Sequence, residues 1–288
     1  MCKSSALSLI ARAIGIVLLS GLGAALLVRS APGFGIDERA LDPRLSPQTQ
    51  QALDREHSGE KNALLFYLRF LRNMASGNMG RSIVFGEPVG DLIRERAPET
   101  VGFVLTGLGC GWVAALFCAA GAALTRRSGL SGAAIVVSGA LLSLPAALLA
   151  IFSLLFRLPA SLVIAAAIFP RVFPYAYEQF RTGQEAVHVQ MAKARGISAP
   201  RLFVFHVLTP ALIPLIALAG VSVTLAFGVS IPVEALADLP GLGQLAWRAA
   251  LGRDLPVLIS VTLFLTIFTV VSNLIADLVL LRFSRSAA

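Results

Sequence analysis

Few side chains in this sequence could do chemistry. Its histidines are His57, His188 and His206, too scattered for a metal site, and no HExxH or CxxC spacing occurs. Cys2, Cys110 and Cys118 imply no disulfide framework. No P-loop pattern is present, so ATP is not expected to bind in that way. Gly129-Leu130-Ser131-Gly132 has the form of a short nucleophile motif. A serine nucleophile needs a base within hydrogen-bond reach, and the long apolar stretches hold no histidine. No catalytic, cofactor-binding or metal-ligating residue is expected in this chain.

The elements that position the polar residues are helices in an apolar setting. Of 288 residues, 56% are hydrophobic and 14% charged, with mean hydropathy +0.79. A soluble domain could not bury that much apolar surface, so the composition implies an integral membrane protein. A span takes about 20 mostly apolar residues. Six stretches qualify: Ala6–Val28, Val101–Leu124, Leu130–Phe156, Leu158–Tyr177, Leu208–Val229 and Pro256–Leu281. Pro170, Arg171 and Pro174 interrupt the fourth, and a half-span there would break the even count.

Charge tests this topology. With a cytoplasmic N-terminus the inner side holds Lys3, Arg12, Arg126, Arg127, Arg171, Arg181, Lys193, Arg195, Arg201, Arg282 and Arg285, against Glu178, Glu185 and Asp277. Residues 29–100 carry ten basic and ten acidic side chains, and the other outer charges also cancel. The whole net charge of +8 therefore falls on one side, as positive-inside bias predicts. The basic balance reflects topology, and no nucleic-acid partner is expected. The first span is too long, and lacks the cleavage site, for a removable signal.

The longest polar interruption of the apolar C-terminal part is QEAVHVQMAKARGISAPRLFVFHVLTPALIP, from Gln184 to Pro214. It reads as two helical pieces broken at Gly196. Lys193 and Arg195 suit the negative end of the first piece, and Gly196 suits its left-handed closure. Ser198 is placed to cap the second piece, with Pro200 welcome in its first turn. Between two spans, this is the form of a docking element on a membrane surface.

Elsewhere, SPQTQQALDREHSGE (46–60) reads as a short solvated helix. LLFYLRFLRNM (64–74) is amphipathic, suited to the outer membrane surface or to packing on its own domain. Residues 76–101 read as a compact loop. Gly107 and Gly111 have the spacing of close helix contact, Pro145 kinks span three, and Leu245–Leu251 reads as an interfacial helix bearing Trp247. The spans hold almost no ionisable group away from their ends; Asp277 lies near one, within reach of Arg282. An ion-coupled carrier usually needs such groups. With neither a coupling residue nor an ATP site, the chain would take energy from a partner docked at the polar interval.

Four ordered signatures resemble one family. They are LLVRSAPGFG at the end of span one, FYLRFLRNMASGNMGRSIVFGEPVGDLIRERAPETV, HVQMAKARGIS with His206 and ALIP (211–214), and VEALADLPGLGQLAWRAALGRDLPVL (233–258). In these the chain resembles the permease subunits of ATP-binding-cassette importers, in the dipeptide, oligopeptide and nickel branch. The resemblance implies an all-α polytopic membrane protein, type I importer permease-like, of about six transmembrane helices. Its expected parts are an anchor (1–28), an extracytoplasmic segment (29–100) and a five-helix core (101–288) with a coupling loop at about 178–207. It further implies a bacterial inner-membrane location with both termini cytoplasmic. The implied partners are two ATPase subunits that bind the ATP, a second permease (identical or not), an extracytoplasmic substrate-binding protein, and the lipid bilayer.

The coupling residues so implied are Val189, Gln190, Met191, Ala192, Lys193, Arg195, Gly196 and Ser198. On this expectation Val189, Met191 and Ala192 fill a groove of the ATPase while Lys193 and Arg195 address acids on its rim. Motif residues of structural role are Gly80, Arg81, Ser82, Pro210, Pro214, Glu234, Pro240, Gly241, Gly243 and Asp254. Four departures stand out. Gln190 occupies the place of the signature glutamate, Asn78 that of a usual Asp and Pro210 that of a usual Asn, and the connection between spans three and four is short. The expected function is the translocation path for peptides or a similar small solute. The alternatives are a self-sufficient secondary carrier or channel and, remotely, a rhomboid-like intramembrane protease using Ser131.

Overall fold

The computed structural model describes residues 2–30, 63–125 and 128–286, most of them helical. The expected helix at 46–60 and His57 lie outside the described residues, as do Arg126 and Arg127 and the side chain of Ser131. In chain order the helices are α1 (Cys2–Ser30), α2 (Ala63–Ala75), α3 (Val89–Thr125), α4 (Ser128–Ser143), α5 (Ala146–Leu155) and α6 (Ala160–Glu185). There follow α7 (Val187–Ala194), α8 (Ala199–Leu202), a π-helical turn (Phe203–Leu208), α9 (Thr209–Leu236), α10 (Leu242–Leu251) and α11 (Leu255–Ser286).

Among the described residues, four helices are long and apolar enough to cross a membrane: Val89–Thr125, Ala160–Glu185, Ala199–Leu236 and Leu255–Leu280. The pair Gly132–Ser143 and Ala146–Leu155 would make a fifth, and α1 contributes the shorter apolar helix Ala11–Leu27. All six expected spans are thus helical, but the irregular one is not the one expected. α6 runs unbroken through Pro170 and Pro174, so the half-span alternative fails. Span three instead turns by 99° at Leu144–Pro145. Pro145 has extended backbone (φ −59°, ψ 142°) and stands as the N-cap of α5. The helix therefore ends and restarts there, where a mere kink was expected.

α3 also begins earlier than expected. The loop closes at Pro88, and Val89, Leu92 and Ile93, all buried, form an apolar face at helical spacing. Pro98, exposed, is carried inside the helix.

The chain divides into two compact units, one within 1–96 and 245–268, the other within 97–244 and 269–288. In the first, α2 buries Tyr67 and Phe70 with Ala25, Leu255, Ile259 and Leu263. The Tyr67 hydroxyl donates to Leu18 O at 2.8 Å. Burial pushes the phenol up from its usual range. Of the two readings of this amphipathic helix, packing on its own domain accounts for its Tyr67–Phe70 face.

In the second unit α6 packs against α4, α5 and α9. Ile164, Ile168, Val172 and Phe173 are fully buried along it, and Phe169, Phe173 and Tyr177 stack at 5.6 and 6.0 Å between centroids. The Gly107/Gly111 spacing does what it suggested. A Cβ on Gly107 would lie 2.5 Å from Ser161 O, and one on Gly111 would lie 3.1 Å from Ala165 O. Small residues let α3 and α6 approach at backbone distance. Asn273, a polar residue of span six, packs where Gly220 leaves room for it.

Candidate coupling site

The polar interval folds as a corner in the second unit. α6 ends at Glu185, and Ala186, with extended backbone (φ −63°, ψ 140°), is the single residue between α6 and α7. α7 closes at Arg195, and Gly196 takes φ +78°. The Gly196 N–H donates to Lys193 O at 3.0 Å and the Ile197 N–H to Ala192 O at 3.4 Å. That pair of bonds is the Schellman closure, which favours glycine at the left-handed position. Ser198 stands at the N-cap of α8, but its side chain makes no capping bond. α8 then continues through the π turn into α9, so the second piece and span five form one helical rod, Ala199–Leu236.

Burial sorts the expected coupling residues by face. Val189 and Ala192 are buried, within a face that also holds Leu202, Phe203 and Val207. The side chains of Val189 and Ala192 therefore turn inward, contrary to the expectation that they fill a partner's groove. The reason is periodicity: positions 189 and 192 share a side of the helix. The large exposed apolar residues of α7 are Val187 and Met191, and Gln190, Lys193, Arg195, Gly196 and Ser198 are exposed beside them. Arg201 extends the basic face onto α8.

Side-chain bonds fix the corner. Gln190 Nε2 donates to Gln184 O at 2.8 Å across the Ala186 break, and Gln184 Nε2 donates to Ala123 O at 3.2 Å. An ionised glutamate at 190 would be an acceptor only and could not make the first bond. His188 Nε2 lies 3.4 Å from His206 O. Phe203 meets Phe180 edge-on at 5.1 Å. Both histidines stand in the third signature, but neither is among the coupling residues expected there. No local pattern pairs them, because their approach depends on how α7 folds back on the π turn.

The structural motif residues gather at two buried carboxylates, one in each unit. In the first unit, Asp254 is fully buried and stands before α11. Its Oδ1 accepts from Val257 N at 3.4 Å, as an N-cap does, and its Oδ2 accepts from Ser82 Oγ at 2.5 Å and Val84 N at 3.1 Å. Arg81 Nη2 donates to Gly86 O at 2.9 Å, and Arg81 bridges Pro88. Gly80 (φ +81°) accepts from Val89 N at 3.1 Å and donates to Asn78 Oδ1 at 2.9 Å.

In the second unit, Glu234 is fully buried at the end of α9. Its Oε1 accepts from Thr100 Oγ1 at 2.8 Å, and its Oε2 accepts from Gly243 N at 2.5 Å and Gln244 N at 3.3 Å. Thr100 Oγ1 accepts in turn from Leu242 N at 2.8 Å. The carboxylate thus satisfies the first turn of α10, where a negative charge is favourable. This is why α10 starts at Leu242, three residues before the expected start. A Cβ on Gly241 would overlap the Glu234 carboxylate, and one on Gly243 would lie 2.6 Å from Ile231 Cα. Pro240, like Asp238, is exposed in this turn. Pro210 sits in the first turn of α9 and Pro214 within it.

The family model described as "Binding-protein-dependent transport system inner membrane component" matches residues 107–288. The chain belongs to this family. The match takes in the corner and Glu234 with its Gly243 and Gln244 donors, and the permease is a membrane component of an ABC transporter. It is similar to a putative peptide transport system permease protein of Brucella melitensis biotype 1, 27% identical over 307 residues, covering 96% of each chain. It is 26% identical over 295 residues to the oligopeptide transport system permease protein AppB of Bacillus subtilis (strain 168), covering 92% of each. A shorter stretch, 93 residues at 36% identity, matches the nickel import system permease protein NikB of Staphylococcus aureus (strain USA300), covering 32% of this chain and 28% of that one. As a multi-pass inner-membrane subunit, the permease works with partners of such a transporter.

Proposed function

We propose that the permease forms the translocation path of an ATP-driven importer for peptides or a similar small solute. The solute class rests on the names of the two relatives that span nearly the whole chain. On this reading α7 and the Gly196 corner seat on a separate ATPase subunit, which binds the ATP, and the chain has no ATPase site of its own. A second permease subunit completes the path, and an extracytoplasmic binding protein delivers the solute. Both termini and the corner face the cytoplasm, in keeping with the one-sided net charge of +8.

One observation carries the coupling role. The corner presents exposed Val187 and Met191 beside Lys193 and Arg195, and its far side is one helical rod with α9. A groove with an acidic rim would meet both the apolar and the basic parts, and movement of the corner would reach α9 without an intervening loop. Lys193→Glu with Arg195→Glu is expected to weaken ATPase binding about tenfold or more, because like charges then face the rim. Co-purification and titration of the ATPase against permease in nanodiscs measure this. Unchanged affinity would remove the corner from the docking site.

A further inference from the structure

The rod that leaves the corner contains a turn whose backbone bonding is incomplete. Proline at 210 has no N–H, so His206 O, four residues earlier, lacks its α-helical donor, and the proline ring crowds that carbonyl. Residues Phe203–Leu208 form a π-helical turn, a form found mostly as single turns inside α-helices and frequently at functional sites. Thr209 Oγ1 donates to Val204 O at 3.1 Å, five residues back. His206 Nδ1 is buried with no hydrogen-bond partner. One turn thus holds a carbonyl without its α-helical donor and an unsatisfied buried nitrogen, the second of which disfavours the present arrangement.

The turn is gripped from two sides. On one, Gly183 of α6 comes so near that a Cβ there would lie 3.0 Å from Val207 Cγ1, and Phe203 meets Phe180. On the other, His188 of α7 brings Nε2 to 3.4 Å from the freed His206 carbonyl. A carbonyl only accepts, so Nε2 is the protonated nitrogen in this contact.

We infer that His188 is a positioning residue that ties α7 to the π turn, passing movement of the docked corner to α9 through the carbonyl that Pro210 leaves free. This rests on the reading of the corner as the ATPase docking site, and it names the contact by which that site acts on span five. A displaced α7 pulls on a turn that lacks the Pro210 N–H and holds an unpartnered His206 Nδ1, so the turn yields there before the regular helix does.

The test uses the permease assembled with its ATPase subunits in nanodiscs and follows amide hydrogen exchange, with and without ATP and vanadate. In the native complex both 187–196 and 203–216 should change exchange on nucleotide trapping. In His188→Leu the response at 187–196 should persist, while that at 203–216 falls about 2- to 10-fold, the worth of one hydrogen bond. His188→Gln, which keeps a donor, should restore it. Pro210→Ala returns an N–H to His206 O, so His188→Leu should have little further effect in that background. If His188→Leu alone fails to assemble, the Pro210→Ala single and double variants make the comparison, and a large difference between them overturns the tie. A native-like response at 203–216 in His188→Leu also overturns it while leaving the docking site intact. Absence of a nucleotide response at 187–196 in the native complex sinks both.

Discussion

Glu234→Ala is expected to destabilise the permease by about 3–5 kcal/mol, the cost of opening a buried, fully bonded polar cluster. The substitution removes the acceptor for Thr100 Oγ1, Gly243 N and Gln244 N together. All three donors sit in residues that are buried, so water does not readily replace it. The start of α10 then loses the group that holds its first turn. Glu234→Gln should fall between, because one oxygen can still serve Gly243 or Thr100 but not both sets of donors. Thermal unfolding of the purified protein in one detergent reads the order native, Gln, Ala. An alanine variant that melts like the native protein would mean that the carboxylate does not hold the turn.

Gly107→Leu should be comparably severe. Its Cβ alone would stand 2.5 Å from Ser161 O and 2.7 Å from Ile164 Cβ, so α3 must move off α6 before the rest of the side chain is placed. Overpacking of a few methylenes costs about 1–3 kcal/mol, and here the obstacle includes backbone that cannot rotate away. Gly109→Leu is the control, since a Cβ at Gly109 meets nothing within 4 Å. Yield and melting temperature should drop for the first and stay near native for the second. Equal behaviour of the two would contradict the close α3–α6 contact.

The sequence carries the break of the corner at Gly196, because its determinants are local. Lys193, Arg195 and Gly196 in order specify a helix end, and the closing bonds from Gly196 and Ile197 follow from backbone geometry alone. The Gly107/Gly111 spacing was legible for the same reason, as one helix face is fixed by its own period. What the pattern could not show is which face of α7 turns inward. Eight residues make little more than two turns, and Val189 and Met191 look equally apolar until α8 and the π turn cover one of them.

Prolines were legible as residues but not as shapes. Pro145 ends a helix, whereas Pro170 and Pro174 are absorbed by α6, whose packing on α4, α5 and α9 holds it straight enough to continue. The two carboxylates appeared in the sequence only as members of a motif. Their partners lie far along the chain, Thr100 for Glu234 and Ser82 for Asp254, and no periodicity links residues at that distance. The Asp254-Leu255-Pro256 order does carry a capping signal, with proline in the first turn of α11. His188 and Pro210 gave no joint signal because their connection runs through a carbonyl, which every residue has.

The most direct test of the proposed function asks where the energy for transport comes from. Proteoliposomes would hold the permease alone, or the permease with its companion permease and ATPase subunits, with the binding protein and a tryptic peptide pool outside. Mass spectrometry of the washed vesicles would measure the peptides taken up. Accumulation only in the complete assembly, and only with ATP at the ATPase side, is the predicted result. Uptake by this chain alone, without ATP, would contradict it and make the protein a self-sufficient carrier or channel.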